Sequence, residues 1–192
     1  MQKDWKEVVK ILKNDGVAVI PTDTLYGLVG SAFSSVPVEK IYFIKERDID
    51  KPLIVLINSL KQLKKFGIKI NRAQAKILKK FWPGSVSIIL PCLDDKLNYI
   101  HRGTKSIAFR MIGKEYRNLY KLINSVGPLV APSVNKESEK PAETIEQAKN
   151  YFGNNIDIYI NEGERVSEPS TLIRIDNGNI EILRQGRTQI VV

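Results

Sequence analysis

Val17-Ala18-Val19-Ile20-Pro21-Thr22-Asp23-Thr24-Leu25-Tyr26-Gly27-Leu28 decides the reading of this chain. The run Val17–Ile20 is short, apolar and rich in β-branched residues, which predicts a buried strand. Thr22, Asp23, Thr24 and Tyr26 then enter a turn bounded by Pro21 and Gly27. A strand with this ending sets hydroxyls and a carboxylate at the edge of a sheet. In open α/β sheets small ligands bind at that edge. A Pro-started turn uses one or two polar side chains to satisfy its own backbone. Four polar groups in five residues exceed that need.

Outward from this stretch, helical and strand patterns alternate. Asp4 is placed to cap a helix with Trp5, Val8, Val9 and Leu12 on one side, stopped near Asn14-Asp15-Gly16. Ser35 and Pro37 open a second helix, carrying Val38, Ile41, Tyr42 and Lys45. Pro52–Ile57 reads as a strand, with Ser59 capping the helix after it. Asn71 caps another helix, which breaks at Trp82-Pro83-Gly84. Ser85–Leu90, Ser106–Phe109, Pro128–Ala131 and Ile156–Ile160 read as strands. Tyr116–Ile123 and the segment after Thr144 read as helices. Thr171–Ile175 and Ile180–Leu183 form a hairpin across Asp176-Asn177-Gly178-Asn179. The interleaving predicts an α/β fold: a twisted, open, mixed parallel and antiparallel sheet with flanking helices.

A chain of 192 residues predicts one domain over 1–192, large enough for a real core. The apolar runs are far too short to span a bilayer, and the first residues lack the apolar segment of a secretory signal. One cysteine, Cys92, excludes an internal disulfide or a cysteine metal cage and fits a cytoplasmic setting. Thirty Lys and Arg against twenty-one Asp and Glu give a net charge of +9, which favours anionic partners. Neither a GxxxxGK[ST] loop nor a GxGxxG after a strand is present. His101, the single histidine, sits among polar residues and reads as an exposed loop side chain. Cys92 reads as core.

Polar and cationic residues recur at strand ends. Arg110 closes the apolar strand Ile107-Ala108-Phe109, where a cation needs an anionic partner. Lys45 and Arg47 stand at the C-terminal end of a helix, where they offset its macrodipole. Ser133 and Asn135 lie in a loop after a short strand. Ser170 opens a strand, and Arg184 ends one. Together these residues predict strand ends that meet over one anionic ligand.

In this order, these segments resemble the threonylcarbamoyl-AMP synthase family, also called the YrdC/Sua5 family. The resemblance runs from about Asp15 to Gly186. It rests on Pro-Thr-Asp-Thr-Leu-Tyr-Gly-Leu at 21–28, Lys-Glu-Arg at 45–47, Lys-Pro-Leu-Ile-Val at 51–55 and Phe-Trp-Pro-Gly at 81–84. Ser-Ile-Ala-Phe-Arg at 106–110, Ala-Pro-Ser-Val-Asn at 131–135, Ser-Thr-Leu-Ile at 170–173 and Ile-Leu-Arg-Gln-Gly at 182–186 complete it. It implies the YrdC-like fold with a basic concave surface. It also implies synthesis of L-threonylcarbamoyladenylate and pyrophosphate from L-threonine, bicarbonate or CO2, and ATP. ATP would enter with Mg2+, and a separate transferase complex would pass the product to tRNA.

Carried over by position, the resemblance implies threonine contacts from Thr24, Arg110 and Ser170. It implies nucleotide-side roles for Lys45, Arg47, Lys51, Ser106, Ser133, Asn135 and Arg184. Tyr26 becomes a pocket wall. No catalytic side chain and no protein metal ligand are implied. The chain departs from the family's common pattern at Asp48, Lys51, Leu56, Val134 and Glu137-Ser138-Glu139. Two other readings share the fold: an RNA-binding paralogue that makes no adenylate, and a carbamoyl-adenylate-forming domain of the hydrogenase-maturation type. RNA binding through the basic surface, to tRNA or to double-stranded RNA, is open to either of the first two readings.

Overall fold

The computed structural model describes residues 3–176 and 179–191. Nine strands build one sheet: β1 (Ala18–Pro21), β2 (Tyr26–Ser31), β3 (Ile54–Ile57), β4 (Val86–Pro91), β5 (Ser106–Met111), β6 (Leu129–Val130), β7 (Ile158–Tyr159), β8 (Thr171–Asp176) and β9 (Asn179–Arg184). Their order is β7-β1-β2-β6-β3-β5-β4-β8-β9. β1/β7, β3/β5 and β4/β8 pair in parallel, and the other five neighbours pair antiparallel. The mixed open sheet expected from the interleaved patterns is the one observed.

Helices cover both faces: α1 (Lys3–Lys13), α2 (Ser35–Lys45), α3 (Arg72–Phe81), α4 (Asn98–His101), α5 (Arg117–Val126) and α6 (Ile145–Phe152). Side chains along a strand alternate between the faces. Val17 and Val19 join the core under α2, α3 and α6, while Ala18 and Ile20 join the core under α1 and α5. Tyr26 and Leu28 face the first core, and Val29 the second. Burial on both faces explains why β1 reads as an unbroken apolar run rather than an alternating one.

Several local readings change. Tyr26–Ser31 is a strand paired with β1, not the tail of a turn. Asp4 lies within the first turn of α1. After Ser59 the chain forms a 3-10 helix, Leu60–Phe66, and the Ser59 side chain makes no cap bond. Asn71 does cap α3, in a full capping box: its side chain accepts from the Gln74 N–H, and the Gln74 side chain accepts from the Asn71 N–H. Thr144 caps α6 by accepting from the Gln147 N–H. His101 is fully buried at the end of α4 rather than exposed, and Cys92 is buried as expected. The tip of the last hairpin, Asn177-Gly178, lies outside the described residues. Among the described residues no helix is long and apolar enough to cross a membrane.

Candidate active site

The turn between β1 and β2 is held by its own threonine. Thr22 donates from its hydroxyl to the Leu25 carbonyl at 2.6 Å and accepts from the Thr24 N–H at 3.3 Å. Thr22 thus satisfies the local backbone, and this leaves Thr24 free to face a cavity of about 260 Å³. Gly27 lies in an isolated antiparallel bridge to Ser133. A Cβ there would come within 2.7 Å of Thr22 Cγ2, so the close approach of the two sides of the turn favours glycine.

Segments from across the sheet meet around this cavity, and eight of the expected site residues line it. Thr24 and Tyr26 come from the β1–β2 turn, and Arg47 from the segment after α2. Ser106 and Arg110 come from β5, Ser133 from the loop after β6, and Ser170 and Arg184 from the last hairpin. The Tyr26 ring forms a wall, while its hydroxyl donates to the Gly163 carbonyl at 2.6 Å. Ser170 is buried, with its hydroxyl 2.8 Å from that of Ser87. Arg184 donates through Nε and Nη2 to the Ser170 carbonyl at 3.3 and 2.9 Å, which fixes one hairpin strand against the other. Burial, helped by the nearby Arg110 charge, lowers the pKa of the Arg184 guanidinium from its ordinary value.

Arg110 and Asp23 form an almost fully buried ion pair at the cavity, with Nη2 3.0 Å from Oδ1. Ser85 donates to the other Asp23 oxygen at 3.3 Å. Arg110 Nε makes no hydrogen bond among the described residues, nor does Asp23 Oδ1. A buried guanidinium N–H without an acceptor is costly. Arg110 lines the cavity, so an entering carboxylate can approach its guanidinium.

Three expected contact residues do not line the cavity. Lys45, the last residue of α2, is 2% exposed. Its ammonium donates to the Ser133 and Asn135 carbonyls at 2.7 and 2.5 Å. It holds the loop rather than offering itself to a ligand. Burial first, and the Arg47 charge second, lower its pKa from 10.5 to about 7. Asn135 accepts from the Ser133 hydroxyl at 2.6 Å and donates to the Lys136 and Glu139 carbonyls, so it also shapes the loop. Lys51 points outward and pairs with Glu137 and Asp48. Arg47 remains at the cavity, with Nε donating to the Lys51 carbonyl and Nη2 to the Pro52 carbonyl.

Leu56 is a fully buried core residue beneath α1 and α5, next in register to Arg110. It is absent from the cavity lining. Two partners of the site were not anticipated. Ser87 supports Ser170, and Ser85 supports Asp23. The signal for Ser87 was present in the sequence: a lone hydroxyl at the centre of the apolar run Val86-Ser87-Ile88, where it must find a buried partner.

The donor set is cationic and hydroxylic. Three guanidiniums, those of Arg47, Arg110 and Arg184, line the cavity with the hydroxyls of Thr24, Ser106, Ser133 and Ser170. Asp23 is the carboxylate beside them, and Arg110 already holds it. Among the described residues no group of three or more His, Cys, Asp or Glu is arranged to hold a metal ion. Such a cavity suits a ligand with carboxylate and phosphate groups.

A family model named Sua5_yciO_yrdC and described as "Telomere recombination" matches residues 10–186. The chain is 36% identical over 140 residues to the threonylcarbamoyl-AMP synthase of Bacillus subtilis, covering 72% of this chain and 40% of that protein. It is 32% identical over 190 residues to the threonylcarbamoyl-AMP synthase of Pyrococcus abyssi, covering 96% of this chain and 55% of the relative. It therefore spans about half the length of these two relatives. The crystal structure of Pyrococcus abyssi Sua5 complexed with L-threonine matches with a TM-score of 0.86 at 28% identity, over 97% of this chain and 55% of that one. Fold, sequence motifs and the convergence of several segments on one cationic cavity agree: the chain belongs to the Sua5/YciO/YrdC family.

Proposed function

We propose that this protein is a nucleotidyltransferase that makes L-threonylcarbamoyladenylate and pyrophosphate from L-threonine, bicarbonate or CO2, and ATP. The observation that carries the reading is the buried Arg110 guanidinium, which lines the cavity with Asp23 as its ion-pair partner. An amino-acid carboxylate is the ligand group that suits it. Thr24 and Ser170 stand on the same cavity, placed to meet the rest of the amino acid. Arg47, Arg184, Ser106 and Ser133 are left for the nucleotide.

The chemistry needs no nucleophilic side chain. The threonine nitrogen bonds to the carbon of CO2 and loses a proton, giving a carbamate. A carbamate oxygen bonds to the α-phosphorus of ATP, the bond from that phosphorus to the bridging oxygen breaks, and pyrophosphate leaves. Both reactants are anions, so their repulsion is part of the barrier. Fixed guanidiniums lower it by neutralising charge where it develops. Positioning contributes up to roughly 7–11 kcal/mol in well-oriented systems. Mg2+ enters with ATP as the substrate complex. Among the described residues no carboxylate lines the cavity, and Asp23 beside it is held by Arg110, so phosphate oxygens and water are the fitting ligands for the ion.

An acyl adenylate is an activated acyl donor, so the reading also proposes a downstream transferase complex with tRNA as acceptor, in the cytoplasm. An RNA-binding module without synthase activity is not favoured, because it has no use for a buried guanidinium lining a small cavity. The test is pyrophosphate release from ATP with Mg2+, with and without L-threonine and bicarbonate. Release that requires both co-substrates, and is lost in Arg110→Ala while ATP still binds, supports the reading. Release that ignores threonine, or an Arg110→Ala enzyme with normal turnover, overturns it.

A further inference from the structure

The net charge of +9 is not spread over the molecule. Residues 51–93 contain nine Lys and Arg and no Asp or Glu. The rest of the chain then holds twenty-one cations against twenty-one acids and is formally neutral. Apart from Lys51, these cations sit on two adjoining elements. Lys61, Lys64 and Lys65 lie on the 3-10 helix, Lys69 on the connection, and Arg72, Lys76, Lys79 and Lys80 on α3. All eight are exposed, and none makes an ion pair among the described residues. None lines the candidate active site.

This arrangement costs stability. Arg72/Lys76 and Lys76/Lys80 are like-charge pairs four residues apart on one helix face, and they repel. Arg72 also places a cation at the positive end of the helix dipole. α3 buries only Leu78 fully. Lys79 and Lys80 suit the last turn of the helix, but Arg72 and Lys76 do nothing for the helix that carries them.

Among these cations runs a groove of about 650 Å³ with an apolar floor of Leu60, Leu63, Ile68, Ile70 and Ala75. Lys61, Lys64 and Lys69 form its rim. An apolar surface framed by polar groups marks a protein contact. A phosphate backbone would neutralise the rim but leave the floor wet, and no aromatic side chain lines the groove for a base to stack on. The geometry points to a docking site for an acidic amphipathic protein segment, whose apolar side chains fill the groove while its carboxylates meet the lysines. The inference is independent of the synthase reading, since the two surfaces share no residue.

The test uses the full chain and two synthetic helical peptides. One carries leucines at i, i+3, i+4 and i+7 on a glutamate background; the other has alanine at those positions. Binding is measured by fluorescence anisotropy and mapped by backbone amide shifts, with a double-stranded RNA as the third probe. The leucine peptide is expected to bind at least about tenfold more tightly than the alanine peptide, as one buried leucine suffices for such a gap. Its shifts should fall on residues 60–80. The exposed double variant Lys61→Glu/Lys64→Glu should weaken it by a further factor of about ten while leaving pyrophosphate release unchanged. Equal binding of the two peptides overturns the proposal. So does RNA that shifts these amides while the leucine peptide does not, which would assign the face to nucleic acid.

Discussion

At the residue scale the site depends on two buried cations with different tasks. Arg110 is held by Asp23 and lines the ligand cavity. Removing the carboxylate leaves an uncompensated buried charge, so Asp23→Asn should destabilise the fold by about 3–5 kcal/mol. Urea unfolding checks this, and a loss below about 1 kcal/mol would show that solvent already screens the pair. Lys45 instead braces the Ser133–Asn135 loop through two carbonyls. Its pKa is depressed to about 7 in the fold from an ordinary 10.5. Between these values the unfolded chain keeps a proton that the folded chain has released, so this group makes stability rise as pH increases across that window. Lys45→Met should flatten the rise relative to the parent protein, read from urea unfolding at several pH values. An unchanged slope would show that Lys45 titrates normally. The polar character of 22–26 and the cation at Arg110 were legible in the sequence. The inward turn of Lys45 was not, because a lysine ending a helix ordinarily points to solvent, and only the carbonyls brought in by the loop after β6 give it a reason to stay buried.

At the scale of elements, legibility followed local chemistry. The Asn71 capping box is written in a residue and its neighbour three positions on, and it formed. Because α3 carries repelling charges and one fully buried side chain, it leans on this cap. Asn71→Ala should cost about 1 kcal/mol, with faster hydrogen exchange concentrated in Arg72–Phe81. Exchange that speeds up equally everywhere would contradict that local dependence. β2 was illegible for a physical reason: Tyr26-Gly27-Leu28-Val29-Gly30-Ser31 contains two glycines, which weaken strand propensity. Both are needed for close packing instead. A Cβ on Gly30 would meet Pro37 Cβ at 2.7 Å, where α2 lies on the strand. His101 was misplaced because polar neighbours suggested a loop, whereas packing of α4 against α2 and β5 encloses it.

At the scale of the molecule, the sheet sets a gradient of stability. β3, β5 and β4 have strands on both sides, while β7 and β9 are its edges. Amides of Val55, Phe109 and Ile88 should therefore exchange only through global unfolding, and those of β7 and β9 through local opening. Native-state hydrogen exchange reads this directly, and equal opening free energies in edge and centre would contradict it. Two-face burial made the architecture readable, since apolar runs and caps fix the elements. The strand order was not readable, because it depends on pairings distant in sequence, such as β4 with β8. One of those pairings reaches beyond the finished protein. The cavity takes Thr24 from near one end of the chain and Arg184 from near the other. On the ribosome, a nascent chain already exposing Thr24, Arg47 and Arg110 still lacks a wall of its pocket. The site comes into being only after the last hairpin has left the exit tunnel, so substrate cannot assist the folding of the segments made before it.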